Sequence, residues 1–574
     1  MNRTQAAVTK LVGAPGSGKT TELLRLAERE ADTHGTPASD LLFCTFTRSA
    51  RNDAATRLGD VYPGVDEDDL DKRVRTLHGA ALAACLAEGI LELRNRNDLD
   101  ADGQLLIRRT NDDDAEFYNW FFRTQFPHIE YETEERDIIQ ELQVGEPLNA
   151  ATGNQIMALY DYLKSADWPL GHHHHAPVDV DLPPPEILDV LESWEAFKDR
   201  NDLIEDADYV HAGLDAHVGP PGRVLLVDEF QDLSPLLYRL YEGWRDSPGT
   251  DRVYIAGDPH QAIYGFRAAD PALFRDTRAD DVIRREESKR CPQAVIDAAV
   301  LIANAVPDHD VSNVTAKRDG GRVDHVEIPD PAALGLLVRT CVDTHGEVYL
   351  LVRTNRQAAK LAYGLRDAGV PYRDLNPNGP LQRWRDPAPF LLEALHAFDE
   401  ERGWPLLIAE RVLQNVTDAR ARHDAMERAD PNRDGRLTAT DTRFGHQILP
   451  REYRDWFPDA TDAHDLVAHL SVDDWQRDLV AGALASGAKN DPEDVRIGTI
   501  HAAKGREAPC VLVFPAYTYR QLDRFHDGDE AAERRLYYVA LTRASRTVHF
   551  VHDYFGGETF PPLERGGRIE GVPP

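Results

Sequence analysis

The sequence predicts an α/β fold made of two parallel sheets, each carrying a mostly helical insertion. Short apolar runs rich in β-branched residues recur along the chain, and each precedes a turn and a helical pattern. Two long stretches of charged, helical sequence interrupt this alternation. Because strands that alternate with helices pair in parallel, the pattern favours sheets covered by helices on both faces.

Eight apolar runs are predicted to form the strands. The first, Ala7 to Val12, leads into a glycine-rich turn and then a helical run from Thr21 to Ala31. The other seven are Leu41 to Thr45, Val224 to Val227, Val253 to Ala256, Val348 to Val352, Ile497 to Ile500, Val511 to Phe514 and Val548 to Val551. Their continuous apolar character is typical of strands that are buried on both faces.

These patterns divide the 574 residues into predicted segments. The first sheet domain is predicted at 1–95 and 206–283, with a helical insertion at 96–205. The second is predicted at 284–377 and 491–555, with a helical insertion at 378–490 and a polar tail at 556–574. At about 100 to 200 residues per domain, this length accommodates several folding units.

Cysteine usage and hydropathy exclude several classes of protein. The five cysteines include no CxxC pair, which argues against a disulfide scaffold, a cysteine zinc knuckle or an iron–sulfur cluster. The N-terminal residues lack the apolar stretch of a signal peptide, and no apolar run is long enough to span a membrane. The predicted location is therefore a reducing cytoplasm, with no membrane partner.

The chain is strongly acidic. Its net charge is −34 at pH 7, and lysine supplies only 10 of the 65 basic residues, against 55 arginines. This composition resembles that of proteins from organisms with molar salt in the cytoplasm, so the predicted source is a halophilic archaeon or its virus. Since the screening length at about 1 M salt is about 3 Å, the net charge does not exclude binding to nucleic acid.

A phosphate-binding loop is predicted between the first strand and the first helix. Residues 13–20, GAPGSGKT, fit the pattern GxxxxGK[ST]. In such loops, backbone N–H groups close on phosphate oxygen atoms, the lysine neutralises their charge and the hydroxyl ligates Mg²⁺. The predicted ATP-binding residues are Gly13, Ala14, Pro15, Gly16, Ser17, Gly18, Lys19, Thr20 and Thr21, with Lys19 also catalytic.

Paired carboxylates end the apolar run Val224 to Val227. Asp228 suits a Mg²⁺ ligand together with Thr20, and Glu229 suits a base or a group that orients water. Taken alone, such a pair is often a solvated strand end. Together with the phosphate loop, it predicts a site that binds a nucleotide with Mg²⁺, and the residues beyond the pair decide which class of nucleotide enzyme this is.

Further motifs, in a fixed order, resemble those of one helicase family. DEFQDLSP at 228–235 resembles motif II of the UvrD/Rep branch of superfamily 1 helicases. The others are CTFTRSA at 44–50, TLHG at 76–79, GDPHQAIYGFR at 257–267, ESKRCP at 287–292, IHAAKGRE at 500–507 and ERRLYYVALTRA at 533–544. The resemblance implies two RecA-like domains and a 3′ to 5′ ATP-dependent DNA helicase or translocase, stimulated by DNA and acting in repair, replication or recombination.

The resemblance also implies roles at the nucleotide. Arg290 and Arg543, both assigned to the second sheet domain, would be arginine fingers on the γ-phosphate. Gln261 would sense the γ-phosphate and is counted with the catalytic residues. Gly505 and Glu507 would bind the nucleotide, with Glu507 on the ribose hydroxyl. The alternative for these side chains is an ordinary surface or ion-pair role.

The implied DNA contacts lie on other motifs. Aromatic side chains would stack on bases of single-stranded DNA, with core packing as the alternative. The residues implied in DNA binding are Thr45, Phe46, His78, Tyr264, Phe266, Arg267 and His501. The predicted partners are single-stranded DNA and junctions of single-stranded with duplex DNA, together with repair, replication or nuclease proteins, for a monomer or weak dimer.

The segment 430–441, DPNRDGRLTATD, suggests a calcium site in the second insertion. It fits the EF-hand loop except that aspartate replaces the final glutamate. The candidate ligands are Asp430, Asn432, Asp434, Arg436 and Asp441. The alternative is an aspartate-rich loop that binds no metal.

Two other functions stay open from the sequence. One is an ATPase stimulated by single-stranded DNA that displaces proteins with little unwinding. The other is a P-loop phosphotransferase acting on a small molecule, which would need neither Arg543 nor the DNA-facing aromatic residues.

Overall fold

The computed structural model divides into two compact units. It describes residues 6–45, 48–62, 65–66, 69–70, 72–91, 108–109, 114–132, 151–304, 306, 313–376, 388–405, 412, 447–448, 450, 453–454, 457–470, 482, 492–517, 530–556 and 558–560. The first unit holds the described residues up to Gly321 together with 530–542, and the second holds Arg322–Tyr517 and the described residues from Arg543 onward.

The first unit is built on a six-stranded parallel sheet in the order β3-β2-β6-β7-β1-β8. Its strands are β1 (Ala7–Gly13), β2 (Leu41–Thr45), β3 (Val74–Thr76), β6 (Val224–Val227), β7 (Arg252–Gly257) and β8 (Asp281–Arg285). Two parallel pairs lie outside it: β4 (Arg108–Arg109) with β5 (Leu203–Ile204), and β9 (Glu287–Pro292) with β10 (Thr315–Arg318).

Helices cover the sheet and form the described part of the first insertion. They are α1 (Lys19–His34), α2 (Arg48–Val61), α3 (Leu77–Ala87), α4 (Asp114–Gln125), α5 (Thr152–Ser165), α6 (Pro184–Arg200), α7 (Asp206–Asp215), α8 (Pro235–Arg245), α9 (Pro271–Asp276) and α10 (Gln293–Ala303). Short 3-10 helices lie at Ala38–Asp40, Leu170–His175, Phe230–Asp232, Pro259–Gln261 and Gly265–Arg267.

A buried charge cluster joins the first insertion to α7. Lys198, with 2% of its side chain exposed, lies 2.6 Å from Asp208 and 2.8 Å from Glu205. Burial opposes its charged form, but the carboxylates outweigh this and raise the pKa of Lys198. The insertion core beside it is aromatic, with the rings of Trp194 and Phe121 5.1 Å apart.

The second unit is built on another six-stranded parallel sheet, in the order β11-β19-β17-β12-β16-β13. The strands of this unit are β11 (Arg322–Glu327), β12 (Val348–Val352), β13 (Arg373–Asp374), β14 (Trp404–Pro405), β15 (Gln447–Ile448), β16 (Val495–Thr499), β17 (Ala508–Val513), β18 (Ala516–Tyr517), β19 (Ala544–His552) and β20 (Glu558–Thr559). The pairs β14 with β15 and β18 with β20 are antiparallel.

The remaining described helices are α11 (Pro331–His345), α12 (Asn355–Asp367), α13 (Ala388–Asp399), α14 (Ala463–Ala468) and α15 (Glu530–Leu541), with a 3-10 turn at Pro492–Asp494. Helix α15 packs on α10 and belongs to the first unit. Among the described residues, no helix has both the length and the apolar composition that a membrane span requires.

The predicted α/β class with parallel sheets is confirmed. All eight predicted strands are present, and two of them, Leu41–Thr45 and Val224–Val227, are buried along their whole length. Such burial on both faces explains their continuous apolar sequence. The structure adds edge strands with alternating exposure, such as β8 and β11, which carry charged residues and lack that signal.

The division between the units differs from the predicted boundary between 283 and 284. The first unit continues to Gly321 because β9 packs against the phosphate loop. There, the N–H of Lys289 donates to the carbonyl of Gly16 at 3.0 Å. The hydroxyl of Ser288 donates to the carbonyl of Pro15 at 2.7 Å.

Candidate active site

The loop between β1 and α1 has the backbone that a phosphate site needs. Gly16 and Gly18 have φ angles of +66° and +86°, in the left-handed region that glycine adopts without strain. Helix α1 begins directly after them, so its free N–H groups face the loop. The ammonium group of Lys19 donates to the carbonyls of Gly13 at 3.0 Å and Ala14 at 3.3 Å. These bonds hold a positive charge against the loop.

Thr20 and Asp228 lie side by side at the C-terminal ends of the central strands. The hydroxyl of Thr20 donates to Oδ2 of Asp228 at 2.5 Å. Burial raises the pKa of Asp228 to about 6, and the Glu229 carboxylate adds to the rise. A hydroxyl oxygen beside a buried carboxylate is a hard oxygen set that Mg²⁺ accepts, so these two residues fit this ion.

Glu229 is held in a rare backbone conformation. Its φ is +53°, which costs a non-glycine residue about 1 to 3 kcal/mol. Gln231, fully buried, donates from Nε2 to Glu229 Oε2 at 2.7 Å and to Asp232 Oδ2 at 3.0 Å. The amide therefore fixes the direction of the Glu229 carboxylate.

The same glutamine connects Glu229 to the next motif. Oε1 of Gln231 accepts a hydrogen bond from the N–H of Asp258 at 2.9 Å. Oδ2 of Asp258 in turn accepts one from Nε2 of Gln261 at 2.8 Å. A Cβ at Gly257 would lie 2.6 Å from Oε1 of Gln231, so the close approach requires glycine there. Two residues outside the predicted site set, Gln231 and Asp258, thus link the predicted base to the predicted γ-phosphate sensor.

A cavity of about 550 Å³ adjoins the phosphate loop within the first unit. Its lining includes Gly13, Ala14, Asp258, His260 and Tyr538. The volume lies within the range of about 300 to 1,000 Å³ of small-molecule sites.

Arg290 lies beside the phosphate loop and in the same unit, not in the second unit as its domain assignment predicted. A Cβ added to Gly16 would lie 2.4 Å from the Cβ of Arg290. Nη1 of Arg290 donates to the carbonyl of Thr542 at 3.3 Å. The ammonium group of the adjacent Lys289 lies 3.6 Å from the position of a Cβ on Gly18, which adds a cation that the predicted site set does not contain.

The remaining predicted nucleotide residues belong to the second unit. Arg543 has 1% of its surface exposed, and its Nη1 donates to the carbonyl of Arg506 at 3.3 Å. Gly505, with a φ of +80°, and Glu507 lie in the turn just before β17. His501, from the DNA set, is buried close to this turn.

A second cavity, of about 370 Å³, adjoins three of the residues predicted to bind DNA. His78, Phe266 and Arg267 line it, together with Tyr160 and Lys164 of the first insertion.

The ring of Tyr264 lies 5.8 Å from that of Phe266, and the guanidinium of Arg267 lies 5.8 Å from the Phe266 ring. Thr45 is buried at the end of β2. Phe46 and the predicted calcium ligands Asp430, Asn432, Asp434, Arg436 and Asp441 lie outside the described residues.

The two residues that the site prediction missed, Gln231 and Asp258, each lie in a sequence context that indicates a functional position. Gln231 belongs to the DEFQD motif, and Asp258 follows Gly257 at the end of an apolar strand. An aspartate just after a buried strand indicates a functional edge of the sheet. The sequence does not show that these two residues are hydrogen-bonded to each other, because they follow two separate strands.

Comparison with known proteins finds similarity to DNA helicases. A family model described as an AAA domain matches residues 1–267, and one described as a UvrD-like helicase C-terminal domain matches residues 494–551. The chain is 25% identical over 409 residues to the ATP-dependent DNA helicase UvrD2 of Mycobacterium tuberculosis, covering 64% of this chain and 54% of that protein.

Two further relatives show the same similarity over shorter stretches. The F-box DNA helicase protein 1 of Schizosaccharomyces pombe is 25% identical over 47% of this chain and 27% of its own length. DNA helicase II of Escherichia coli is 29% identical over 26% of this chain and 22% of its own length. The chain therefore spans about half the length, or less, of these relatives. Both family models and these relatives show that the chain is similar to UvrD/Rep-like DNA helicases.

Proposed function

We propose that this protein is an ATP-driven motor that moves 3′ to 5′ along single-stranded DNA and separates duplex DNA at junctions. The observation that carries the proposal is the hydrogen-bonded chain from Glu229 through Gln231 and Asp258 to Gln261. The segment after Gln261 continues to Phe266 on the second cavity. A change at the nucleotide therefore has a short physical route to the surface proposed for DNA.

The proposed chemistry assigns each nucleotide residue a task. Lys19 binds phosphate oxygen atoms, and Glu229 accepts the proton of the attacking water. Thr20 and Asp228 would hold Mg²⁺, which neutralises phosphate charge when it is bound. Glu229 is suited to its task because the hydrogen bond from Gln231 holds its carboxylate in one orientation.

Four further side chains are proposed to contact the nucleotide. Arg290 and Arg543 stabilise the negative charge that develops on the γ-phosphate, and Gln261 senses that phosphate. Glu507 binds the ribose hydroxyl beside Gly505. Arg290 lies against the loop that would carry the phosphates, which supports its role.

The proposed DNA contacts combine stacking and polar groups. Tyr264 and Phe266 are half-buried, so each ring keeps a face for a base, and stacking contributes about 1 to 3 kcal/mol per base. Arg267, exposed beside Phe266, is suited to a phosphate. His78 lines the same cavity, and Thr45, Phe46 and His501 complete the proposed contacts. Because stacking reads no sequence, we expect binding without sequence preference, consistent with a role in repair, replication or recombination.

The test uses duplexes with a 3′ or a 5′ single-stranded tail, and follows strand separation by fluorescence with ATP and Mg²⁺. Separation of the 3′-tailed duplex alone supports the proposal. Equal separation of both, or of the 5′-tailed duplex alone, contradicts the polarity. DNA-stimulated hydrolysis with removal of bound protein but no separation would favour a protein-displacing ATPase.

A pair of variants tests the DNA surface. Phe266→Ala is expected to weaken single-stranded DNA binding about 5- to 150-fold, the equivalent of one lost stacking contact. Tyr363→Ala is the matched control, since Tyr363 is a half-exposed ring with an arginine 5.0 Å from its centroid but lies on α12 of the second unit. Equal loss in both variants would contradict a specific role for Phe266.

A further inference from the structure

Two cysteines and a histidine from three distant segments meet inside the second unit. Cys341 lies on α11, Cys510 on β17 and His549 on β19. Both thiols are buried, and the three side chains each offer a ligand atom within 4.8 Å of the other two. None of the three has a part in the proposed ATPase or DNA site.

The sheet register explains why these side chains share one face. His549 pairs with Leu512 on β17, and Cys510 is two residues before Leu512. Since residues two apart on a strand point to the same side, Cys510 and His549 face the same layer. Helix α11 packs on this layer and brings Cys341 onto it.

A carboxylate supports the histidine from the other side. Asp324 on β11 pairs with His549 in the register, and its Oδ2 lies 3.5 Å from Nδ1 of His549. Nε of Arg322 lies 2.5 Å from the same oxygen atom and fixes the carboxylate. Nδ1 of His549 is buried and has no hydrogen-bond partner in the described part of the chain. Histidines that bind metals commonly donate from their other ring nitrogen to a carboxylate, and Asp324 is the carboxylate placed nearest for that role.

A second histidine borders the cluster. His345 follows Cys341 by one helical turn, so both lie on the same face of α11. Its Nδ1 is buried, and within the part of the chain that the structure describes it has no hydrogen-bond partner.

The ligand chemistry and the spacing both suit zinc. Cysteine sulfur and histidine nitrogen are the ligands that structural zinc sites use. Two sulfur ligands at about 2.3 Å from a tetrahedral zinc ion are about 3.8 Å apart. Atoms within 4.8 Å of one another therefore need to close by at most about 1 Å.

We propose that Cys341, Cys510 and His549 bind one zinc ion that fastens α11 to the sheet of the second unit, with His345 as the candidate fourth ligand. The absence of a CxxC pair argued against a zinc knuckle, but it does not exclude a site assembled from a helix and two strands. The ion would have a structural role, because buried cysteine and histidine ligands leave little room for a substrate.

The first test measures zinc in untagged full-length protein purified with a phosphine reductant. One zinc per chain is expected in the wild type and in Cys85→Ser. Cys85 is the matched control because it is a buried free cysteine of the first unit. Cys510→Ser and His549→Asn are expected to contain less than a tenth of that amount.

A second measurement keeps the proposal testable if those variants fail to fold. Wild-type protein in which Co²⁺ replaces zinc is expected to show thiolate-to-cobalt absorption in the near ultraviolet. The four consecutive histidines at 172–175 also attract metals, but without thiolate they cannot produce this absorption. Removal of the metal by a chelator is expected to lower the unfolding temperature, and re-addition of zinc to restore it.

Three results would overturn the proposal. They are wild-type protein that takes up neither zinc nor cobalt, metal content unchanged in folded Cys510→Ser, and a thiol titration that finds Cys341 and Cys510 joined as a disulfide.

Discussion

Replacing Gln231 with methionine removes three hydrogen bonds while keeping the length of the side chain. The largest effect is at Glu229, which loses a 2.7 Å bond to its carboxylate. A hydrogen bond to a charged group contributes about 1.5 to 3 kcal/mol, which corresponds to about a 10- to 150-fold change in rate if the bond orients Glu229 in the transition state. The N–H of Asp258 is also left unpaired, at a cost of about 1 to 3 kcal/mol of stability.

The assay is steady-state ATP hydrolysis with saturating single-stranded DNA, beside unfolding by urea. Asn154→Leu is the matched control, because Asn154 is a buried amide with two hydrogen bonds to Glu132 in the first insertion. We expect a similar loss of stability in both variants and a lower kcat only in Gln231→Met. A folded Gln231→Met protein with the wild-type kcat would refute the orienting role of Gln231.

Three further predictions concern other parts of the first unit. Gly16→Ala is expected to abolish ATP binding measured by calorimetry, because its Cβ would lie 2.4 Å from an arginine side chain. Gly35→Ala is the control, since Gly35 has the same φ of +66° but faces open space; it should bind ATP normally and lose only about 1 kcal/mol of stability. Because the folded-state pKa of Asp228, about 6, lies above the ordinary value of 3.8, its ionisation destabilises the nucleotide-free protein above pH 6. Acidification from pH 6 to 4 should therefore raise the free energy of unfolding of the wild type relative to that of Asp228→Asn. At pH 7, Asp228→Asn should have the higher free energy of unfolding, by roughly 3 kcal/mol. The same pH dependence in both proteins would contradict this. Lys198→Met removes the buried cation that pairs with Glu205 and Asp208, and should lower the free energy of unfolding by about 3 kcal/mol. Exposed Lys72→Met should change it by less than about 1 kcal/mol, and equal effects in urea would contradict the burial argument.

The sequence predicts those parts of the fold in which local pattern and burial coincide. Leu41–Thr45 and Val224–Val227 are buried on both faces, so their apolar runs identify them. The edge strand Arg322–Glu327 has only exposed and half-buried residues and includes charged ones, so its pattern resembles a loop. Charged side chains on an edge strand discourage pairing with another chain, so an edge strand lacks the apolar run of a buried one.

The candidate site likewise has one part that the local sequence predicts and another that it does not. The phosphate loop is contiguous, so its glycines and Lys19 are visible in eight residues of sequence. The link between Gln231 and Asp258 depends on two neighbouring strands, and the cluster of Cys341 with Cys510 depends on register and helix packing. Such contacts follow from the order of strands in a sheet, which one sequence does not specify.

The central claim is that nucleotide hydrolysis at Glu229 is coupled to single-stranded DNA. The most direct measurement is the rate of ATP hydrolysis in concentrated KCl with and without single-stranded DNA, for the wild type and Glu229→Gln. We expect strong stimulation by DNA in the wild type and loss of hydrolysis in the variant, with ATP binding retained. Equal rates with and without DNA in a folded wild-type protein would contradict the account.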